Sequence, residues 1–232
     1  MNKIIEIYKS YLISKNLSIN TINSYIYDIN SFSEYLSEAY GCKLNKTKKA
    51  YILTYLINLQ KQRKSSSTIS RAISALKNFF EFLKKEKLIE DNPAVSIHSP
   101  KQIKKTPAIL SESEVNLLMK QPNTNSFKGS RDSAILELLY SSGIKVTELI
   151  NIKIKDINLK AQIINIEDSK VRIVPLSQHA NNAICNYLTN FRNKKCKEEH
   201  DFLFVNMSGQ PISRQGVWKI LKLYEKKMDI NR

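Results

Sequence analysis

One stretch in the second half of the chain decides the fold, and it reads Leu138-Leu139-Tyr140-Ser141-Ser142-Gly143-Ile144-Lys145-Val146-Thr147-Glu148-Leu149. Its first residues continue an apolar repeat that begins at Ala134 and Ile135, and the spacing of three to four residues predicts a helix with one buried face. We expect this helix to begin at Arg131-Asp132. Gly143 predicts its end, because glycine adopts the left-handed backbone that closes many helices without strain.

Residues 109–232 predict a domain of mixed α+β type around this helix. Ser111, followed three residues later by a glutamate, is a capping box that opens an earlier helix. Two β-rich runs, 163–166 and 171–176, flank Asp168-Ser169 and predict a hairpin. The remaining elements that we expect are a helix around 183–188, a short strand at 202–205, a turn at Gly209 and a helix from Ser213 through Tyr224.

Residues 1–97 predict a domain of four helices, because apolar residues recur at helical spacing and no proline occurs before Pro93. Ser18 and Thr21 stand where N-caps would, and Ser65-Ser66-Ser67-Thr68 precedes the fourth helix. The segment 98–108 holds two prolines and three lysines, which predicts an extended, basic linker. The fold class is therefore mainly α with a small β-hairpin or sheet.

The composition favours a polyanionic partner. Lys and Arg number 37 against 21 Asp and Glu, so the net charge is +16. This balance attracts nucleic acid through counterion release and electrostatic steering, although a generally basic cytosolic protein is the alternative. The cysteines form no Cys-x-x-Cys pair, and Cys185 falls on an apparent apolar helix face, which predicts a buried free thiol in a reducing cytoplasm. No apolar run approaches the roughly 20 residues of a membrane helix, so we expect no membrane association.

The stretch 138–149 resembles the first active-site box of the Xer and phage-integrase tyrosine recombinases. Residues 67–77 resemble a helix of that family's core-binding domain, which lies against the duplex, and residues 213–218 resemble a family segment near the DNA. The resemblance extends over essentially all 232 residues. It implies a SAM-like core-binding domain over 1–97, a linker over 98–108 and a catalytic-type domain over 109–232, which close around double-stranded DNA as a clamp.

The resemblance also implies a chemistry without metal or cofactor, in which a tyrosine attacks the phosphodiester and forms a 3′-phosphotyrosyl link. Arginines hold the phosphate through pairs of parallel hydrogen bonds. Lys145 occupies the position of the first family arginine, so this chain keeps the charge and loses the two-pronged donor. Glu148 either holds Lys145 in place as an ion-pair partner or makes an ordinary helix-surface pair.

The hairpin departs from the family as well, since its turn is about two residues shorter and carries Glu167 and Asp168 where a Gly-Lys-Gly is expected. Lys170 is the one candidate for the lysine that serves as general acid, unless it matches a second, non-catalytic lysine of the same hairpin. No His-x-x-Arg occurs in these 232 residues. Tyr224 lies on an apolar helix face, which favours core packing over a nucleophilic role. We therefore expect the catalytic-type domain to be cut short and its nucleophile to be absent.

Basic and hydroxyl side chains around the fourth helix, in the linker and at the last helix are the candidate DNA contacts, since hydroxyls, cations and helix N-termini bind phosphates. The alternative is that the serines cap the helix and the lysines solvate an outer face. The candidates are Lys64, Ser67, Thr68, Arg71, Lys77, Lys104, Lys105 and Arg214.

We therefore predict a DNA-binding member of the recombinase family with impaired catalysis, whose ligand is duplex DNA. A partner recombinase or a second copy of this chain on the DNA is a further candidate partner. One alternative is an active recombinase whose missing residues come from a longer natural chain or from a partner. Another is a non-catalytic regulator or chromosome-organising factor, because binding residues can persist after catalysis is lost.

Overall fold

A computed structural model describes residues 3–100, 109–167, 171–195 and 200–228 of the chain. Its contacts divide the chain into an N-terminal unit, Met1–Thr106, and a C-terminal unit, Pro107–Arg232. Lys104, Lys105 and Lys170, three of the candidate residues, lie outside the described residues. Within those residues, no helix combines the length and the apolar character that crossing a membrane requires.

The N-terminal unit is built of four long helices, as the sequence predicts. They are α1 (Lys3–Ser14), α2 (Ile19–Tyr40), α3 (Lys49–Lys61) and α4 (Ser66–Lys85). Ser18 caps α2 and Ser65 caps α4, each by accepting a hydrogen bond from a backbone N–H three residues on. Fully buried aromatic rings, among them Tyr8, Phe32 and Phe80, fill the space between the helices.

The C-terminal unit combines helices with one small antiparallel sheet of strand order β1-β2-β3. The chain forms, in order, α5 (Glu112–Met119), α6 (Phe127–Ser142), α7 (Val146–Leu149), β1 (Ile157–Asn158), β2 (Ile163–Glu167), β3 (Val171–Pro175), α8 (Gln178–Tyr187), α9 (Asn193–Lys195) and α10 (Arg214–Lys227). The capping box at Ser111 and the left-handed end of α6 at Gly143 are both present. The mainly helical fold class with a small sheet is confirmed.

The beginning of α6 differs from the prediction. The helix starts at Phe127, one turn before Arg131-Asp132, and Ser126 caps it by accepting from the Gly129 N–H at 3.1 Å. Arg131 and Asp132 lie inside the helix and are buried, with 4% and 0% of their surface exposed. They hydrogen-bond to each other, Arg131 also donates to the Val205 carbonyl at 3.1 Å, and these contacts satisfy both charges.

Two further predictions for this unit are wrong. Residues 202–205 do not form a strand, since they make only isolated bridges, one between Lys153 and Phe202 and one between Val205 and Pro211. Cys185 is exposed and not buried. The buried face of α8 consists of Ala180, Ile184 and Tyr187, and Cys185 lies about 100° around the helix from Ile184.

Candidate nucleic-acid interface

Lys145 stands immediately before α7 with its side chain in solvent. It is the N-cap residue, in extended conformation at φ −69° and ψ 149°. Its backbone N–H donates to Oε2 of Glu148 at 2.8 Å, while its ammonium lies 3.9 Å from Oε1. The Lys145 side chain is 69% exposed and that of Glu148 only 2%. The Lys145 ammonium therefore lies within ion-pair distance of Glu148, and the carboxylate of this pair is buried and not on the helix surface.

The main partner of Glu148 is Arg172 on β3. Its two terminal nitrogens donate to the two carboxylate oxygens at 2.8 and 2.9 Å. The Arg172 hydrogen bonds, joined by the backbone hydrogen bond from Lys145, lower the pKa of Glu148 to about 2 against the opposing effect of burial. The carboxylate therefore stays ionised at neutral pH and fastens the hairpin to the start of α7.

Sequence reasoning missed Arg172, although a signal for it was present. Side chains two residues apart on a strand share a face, and Arg172 precedes the buried Val174 by two. That spacing places Arg172 on the inward side of the hairpin, where a cation needs an acidic partner. The partner lies 24 positions earlier in the chain, and no local pattern points to it.

In the N-terminal unit, candidate residues gather at the beginning of α4. Lys64 and Ser67 are exposed, and the Thr68 hydroxyl lies 2.9 Å from that of the capping residue Ser65. Arg71 follows Ser67 by one turn and is on the same exposed side. Lys77 is half-buried and lies about 120° around the helix from Arg71, so the structure does not bring it to the same face.

Arg71 is not an isolated surface cation. Its Nε donates to Oδ2 of Asp28 on α2 at 2.9 Å, and its Nη2 donates to Oδ1 at 3.0 Å. Asp28 is buried, with 4% of its surface exposed. The hydrogen bonds to Asp28 raise the pKa of Arg71 above its ordinary value. This pair joins α2 to α4 across 43 positions of sequence.

The exposed face of α10 is basic and aromatic. Arg214 is its first residue, and Ser213 caps it by accepting from the Gly216 N–H at 3.1 Å. Trp218 is 59% exposed and follows Arg214 by four residues, so the two side chains are neighbours on one helix face. Lys222 continues the row and pairs with Glu225 at 2.6 Å.

Two family models match the chain: the N-terminal SAM-like domain of phage integrases over residues 5–87, and the phage integrase family over residues 108–232. The chain belongs to the phage integrase family of tyrosine recombinases. It is 37% identical to the tyrosine recombinase XerD of Halalkalibacterium halodurans, with 95% of this chain and 75% of that protein aligned. It is 36% identical to the tyrosine recombinase XerD of Staphylococcus haemolyticus, with 100% of this chain and 80% of that protein aligned.

Solved structures of integrases share the fold of this family member. An integrase of the transposon Tn1549 in complex with circular intermediate DNA matches with a TM-score of 0.77 at 15% identity, over 97% of this chain and 78% of that one. A lambda integrase dimer bound to a COC′ core site matches with a TM-score of 0.72 at 17% identity, over 99% of this chain and 63% of that one. At these identities the likeness shows the fold.

Tyr224 of this integrase-family chain is part of the core, as predicted. It is 3% exposed, and its hydroxyl donates to Oδ2 of Asp132 at 3.0 Å. Burial and the Asp132 charge raise the pKa of Tyr224 above its ordinary value. A nucleophile needs access to the phosphodiester and a readily lost proton, and Tyr224 has neither.

Proposed function

We propose that this chain binds duplex DNA at a recombination site through cationic surfaces on both of its units, and that the 232-residue polypeptide leaves the bound strands uncut. The observation that carries the proposal is the exposed ammonium of Lys145, which lies 3.9 Å from the buried carboxylate of Glu148 in the stretch that resembles the family's first active-site box. By that resemblance, the arrangement keeps a positive charge at the position from which the family's first arginine binds the scissile phosphate.

Lysine at this position binds phosphate but stabilises its transition state poorly. An ammonium is a point charge, whereas a guanidinium donates two parallel hydrogen bonds that hold two oxygens in a fixed plane. Loss of one such electrostatic donor costs about 3–4 kcal/mol of transition-state stabilisation. At about 1.36 kcal/mol per factor of ten, that cost slows cleavage by roughly two to three orders of magnitude.

The neighbouring residues favour the same conclusion. Glu167 ends β2 at the hairpin turn and is exposed, so its negative charge opposes the approach of a phosphate there. Tyr224 is buried, and its hydroxyl donates to Asp132, so it does not face a bound strand. Binding through Lys64, Ser67, Arg71, Lys145 and Arg214 needs none of the chemistry that these departures remove.

A duplex carrying a nick beside its cleavage site tests the proposal, because a covalent intermediate cannot religate on such a substrate. We expect a stable complex in a native gel and no covalent adduct in a denaturing gel. Lys145→Ala should weaken the complex, whereas Lys160→Ala, an exposed lysine of the same unit, should not. A covalent adduct formed by this polypeptide alone would refute the proposed lack of cleavage.

Footprinting on genomic fragments tests the kind of DNA site. A recombination role predicts protected half-sites in inverted pairs, separated by a short spacer. Protection of single, unpaired sites would contradict that role and would favour a regulator built on the same fold.

A further inference from the structure

The arginine at the exposed start of α4 is held by a carboxylate that the solvent scarcely reaches. Arg71 and Asp28 form a two-pronged pair with distances of 2.9 and 3.0 Å, and their side chains are 41% and 5% exposed. A buried ion pair is weak evidence for a stabilising role, since the desolvation of the charges can exceed their attraction. The half-exposed arginine therefore leaves room for a second role.

The geometry of the guanidinium defines what that second role can be. The group carries five N–H donors in one plane, and Asp28 accepts from the edge formed by Nε and Nη2. The adjacent edge, formed by Nη1 and the other Nη2 hydrogen, presents a second pair of parallel donors. Among the described residues, Asp28 is the only hydrogen-bond partner of Arg71. A ligand with two acceptor oxygens fits the second edge.

Side chains that can bind phosphate lie beside Arg71 at the start of α4. A cavity of about 380 Å³ opens beside the pair, and Lys64, Thr68 and Arg71 line it together with the acidic side chains Asp28, Glu34 and Glu38. Ser67, one turn before Arg71, adds an exposed hydroxyl at the N-terminal end of a 20-residue helix. Hydroxyls, an ammonium and a guanidinium at a helix beginning form a donor set that binds the DNA backbone.

We propose that Asp28 is a positioning residue for DNA binding: it fixes the plane of the Arg71 guanidinium so that the free edge of the guanidinium grips a backbone phosphate of the duplex. An unsupported arginine samples many rotamers, and ordering it on DNA costs entropy. Asp28 orders it before the DNA arrives, so the contact forms at lower cost. The inference rests on the proposed DNA binding and adds a residue that touches no DNA itself.

The direction in which Asp28→Asn changes the affinity for DNA distinguishes a positioning role from an effect of net charge. Asp28→Asn removes a negative charge, so electrostatics alone predicts tighter DNA binding. Positioning predicts weaker binding, by about tenfold, since a charge-assisted contact to phosphate is no longer held in place. Asp91→Asn is the matched control: it makes the same charge change in the same unit, and Asp91 pairs with Lys84 on the surface. We expect that variant to bind as the parent does or slightly more tightly.

Further variants test the same contact in case Asp28→Asn does not fold. Arg71→Ala should weaken binding by about the same factor as Asp28→Asn, and combining the two should add little, because both remove one contact. The pair Asp28→Leu with Arg71→Met replaces the ions by apolar groups and keeps the helices joined. It should fold, by circular dichroism, and should bind DNA as weakly as Arg71→Ala.

Fluorescence anisotropy of a labelled duplex measures these effects over a range of salt concentrations. Loss of one phosphate contact should lower the slope of log K against log salt by about 0.9 and should weaken specific and random duplexes equally. A folded Asp28→Asn protein that binds as tightly as the parent, or a loss confined to the specific site, would overturn the inference. If the parent itself does not bind duplex, the proposed function fails instead.

Discussion

Removing the guanidinium of Arg172 should destabilise the C-terminal unit by about 3 kcal/mol. The substitution Arg172→Ala leaves the Glu148 carboxylate, whose side chain is 2% exposed, with one backbone N–H and an ammonium 3.9 Å away. Deleting one partner of a buried ion pair costs about 3–5 kcal/mol. The Arg172 side chain is 45% exposed, so water replaces part of the lost interaction and the lower end applies. In a unit of this size the midpoint Tm should fall by about 10 °C.

The stability lost on Arg172→Ala should also depend on pH. The Arg172 hydrogen bonds, with a smaller contribution from the Lys145 N–H, lower the pKa of Glu148 from 4.5 to about 2, so these contacts contribute stability above pH 4.5 that is lost as the pH falls towards 2. The difference in unfolding free energy between parent and Arg172→Ala should therefore be full at pH 7 and should shrink between pH 4.5 and 2.

Urea unfolding measures this difference, and Trp218, the one tryptophan of the chain, reports on the C-terminal unit by its fluorescence. Lys160→Ala, an exposed charge deletion in the same unit, is the control and should change stability by less than about 0.5 kcal/mol. A change in Arg172→Ala no larger than that of the control, or one that is equal at pH 7 and pH 3, would refute the reasoning.

Three other outcomes are expected in the C-terminal unit. Tyr224→Phe removes the hydrogen bond to the buried Asp132 and should cost about 1–3 kcal/mol in urea unfolding, whereas a neutral effect would mean that the bond is absent in solution. Gly129→Ala places a methyl group 2.0 Å from the Asn123 carbonyl oxygen, so this variant should melt at a clearly lower temperature than the parent, and an unchanged Tm would contradict the close approach. Because Cys185 is exposed, the native Cys185→Ser protein should have one rapidly reacting thiol fewer than the native parent. Equal numbers of reactive thiols in the two proteins would show that the Cys185 side chain is covered.

The parts of the fold that depend on local chemistry could be predicted from the sequence. The caps at Ser18, Ser65 and Ser111 involve side chains and backbone groups three residues apart, and the end at Gly143 depends on one residue. Contacts over so few residues can be predicted from the local sequence alone. The helix number of the N-terminal unit and the hairpin follow from apolar spacing in the same way.

Apart from Cys185, whose exposure follows from its position around α8, the errors and omissions concern contacts between residues far apart in sequence. Arg131-Asp132 has the polarity of a helix beginning, and its burial is possible only because the Val205 carbonyl and Tyr224 satisfy it from other elements. Residues 202–205 have strand-forming side chains but find no full partner strand. The Asp28–Arg71 pair likewise joins two helices, and neither residue alone predicts the other.

The candidate site was predictable in part. The resemblance named Lys145 and the α4 residues as candidates, and the sequence offered Glu148 as a partner of Lys145, but nothing in the sequence pointed to Asp28 as the partner of Arg71. The structure adds Asp28, which accepts from Arg71, and shows that Glu148 accepts from Arg172.

The affinity of this polypeptide for duplex DNA as a function of salt tests the central claim most directly. Cationic surfaces on both units predict tight binding at low ionic strength and a log K that falls linearly with log salt, by about 0.9 for each phosphate contacted. We expect the slope to correspond to several phosphate contacts. No covalent product should form at any salt concentration. No binding to duplex at low ionic strength, or binding that salt does not weaken, would contradict the account.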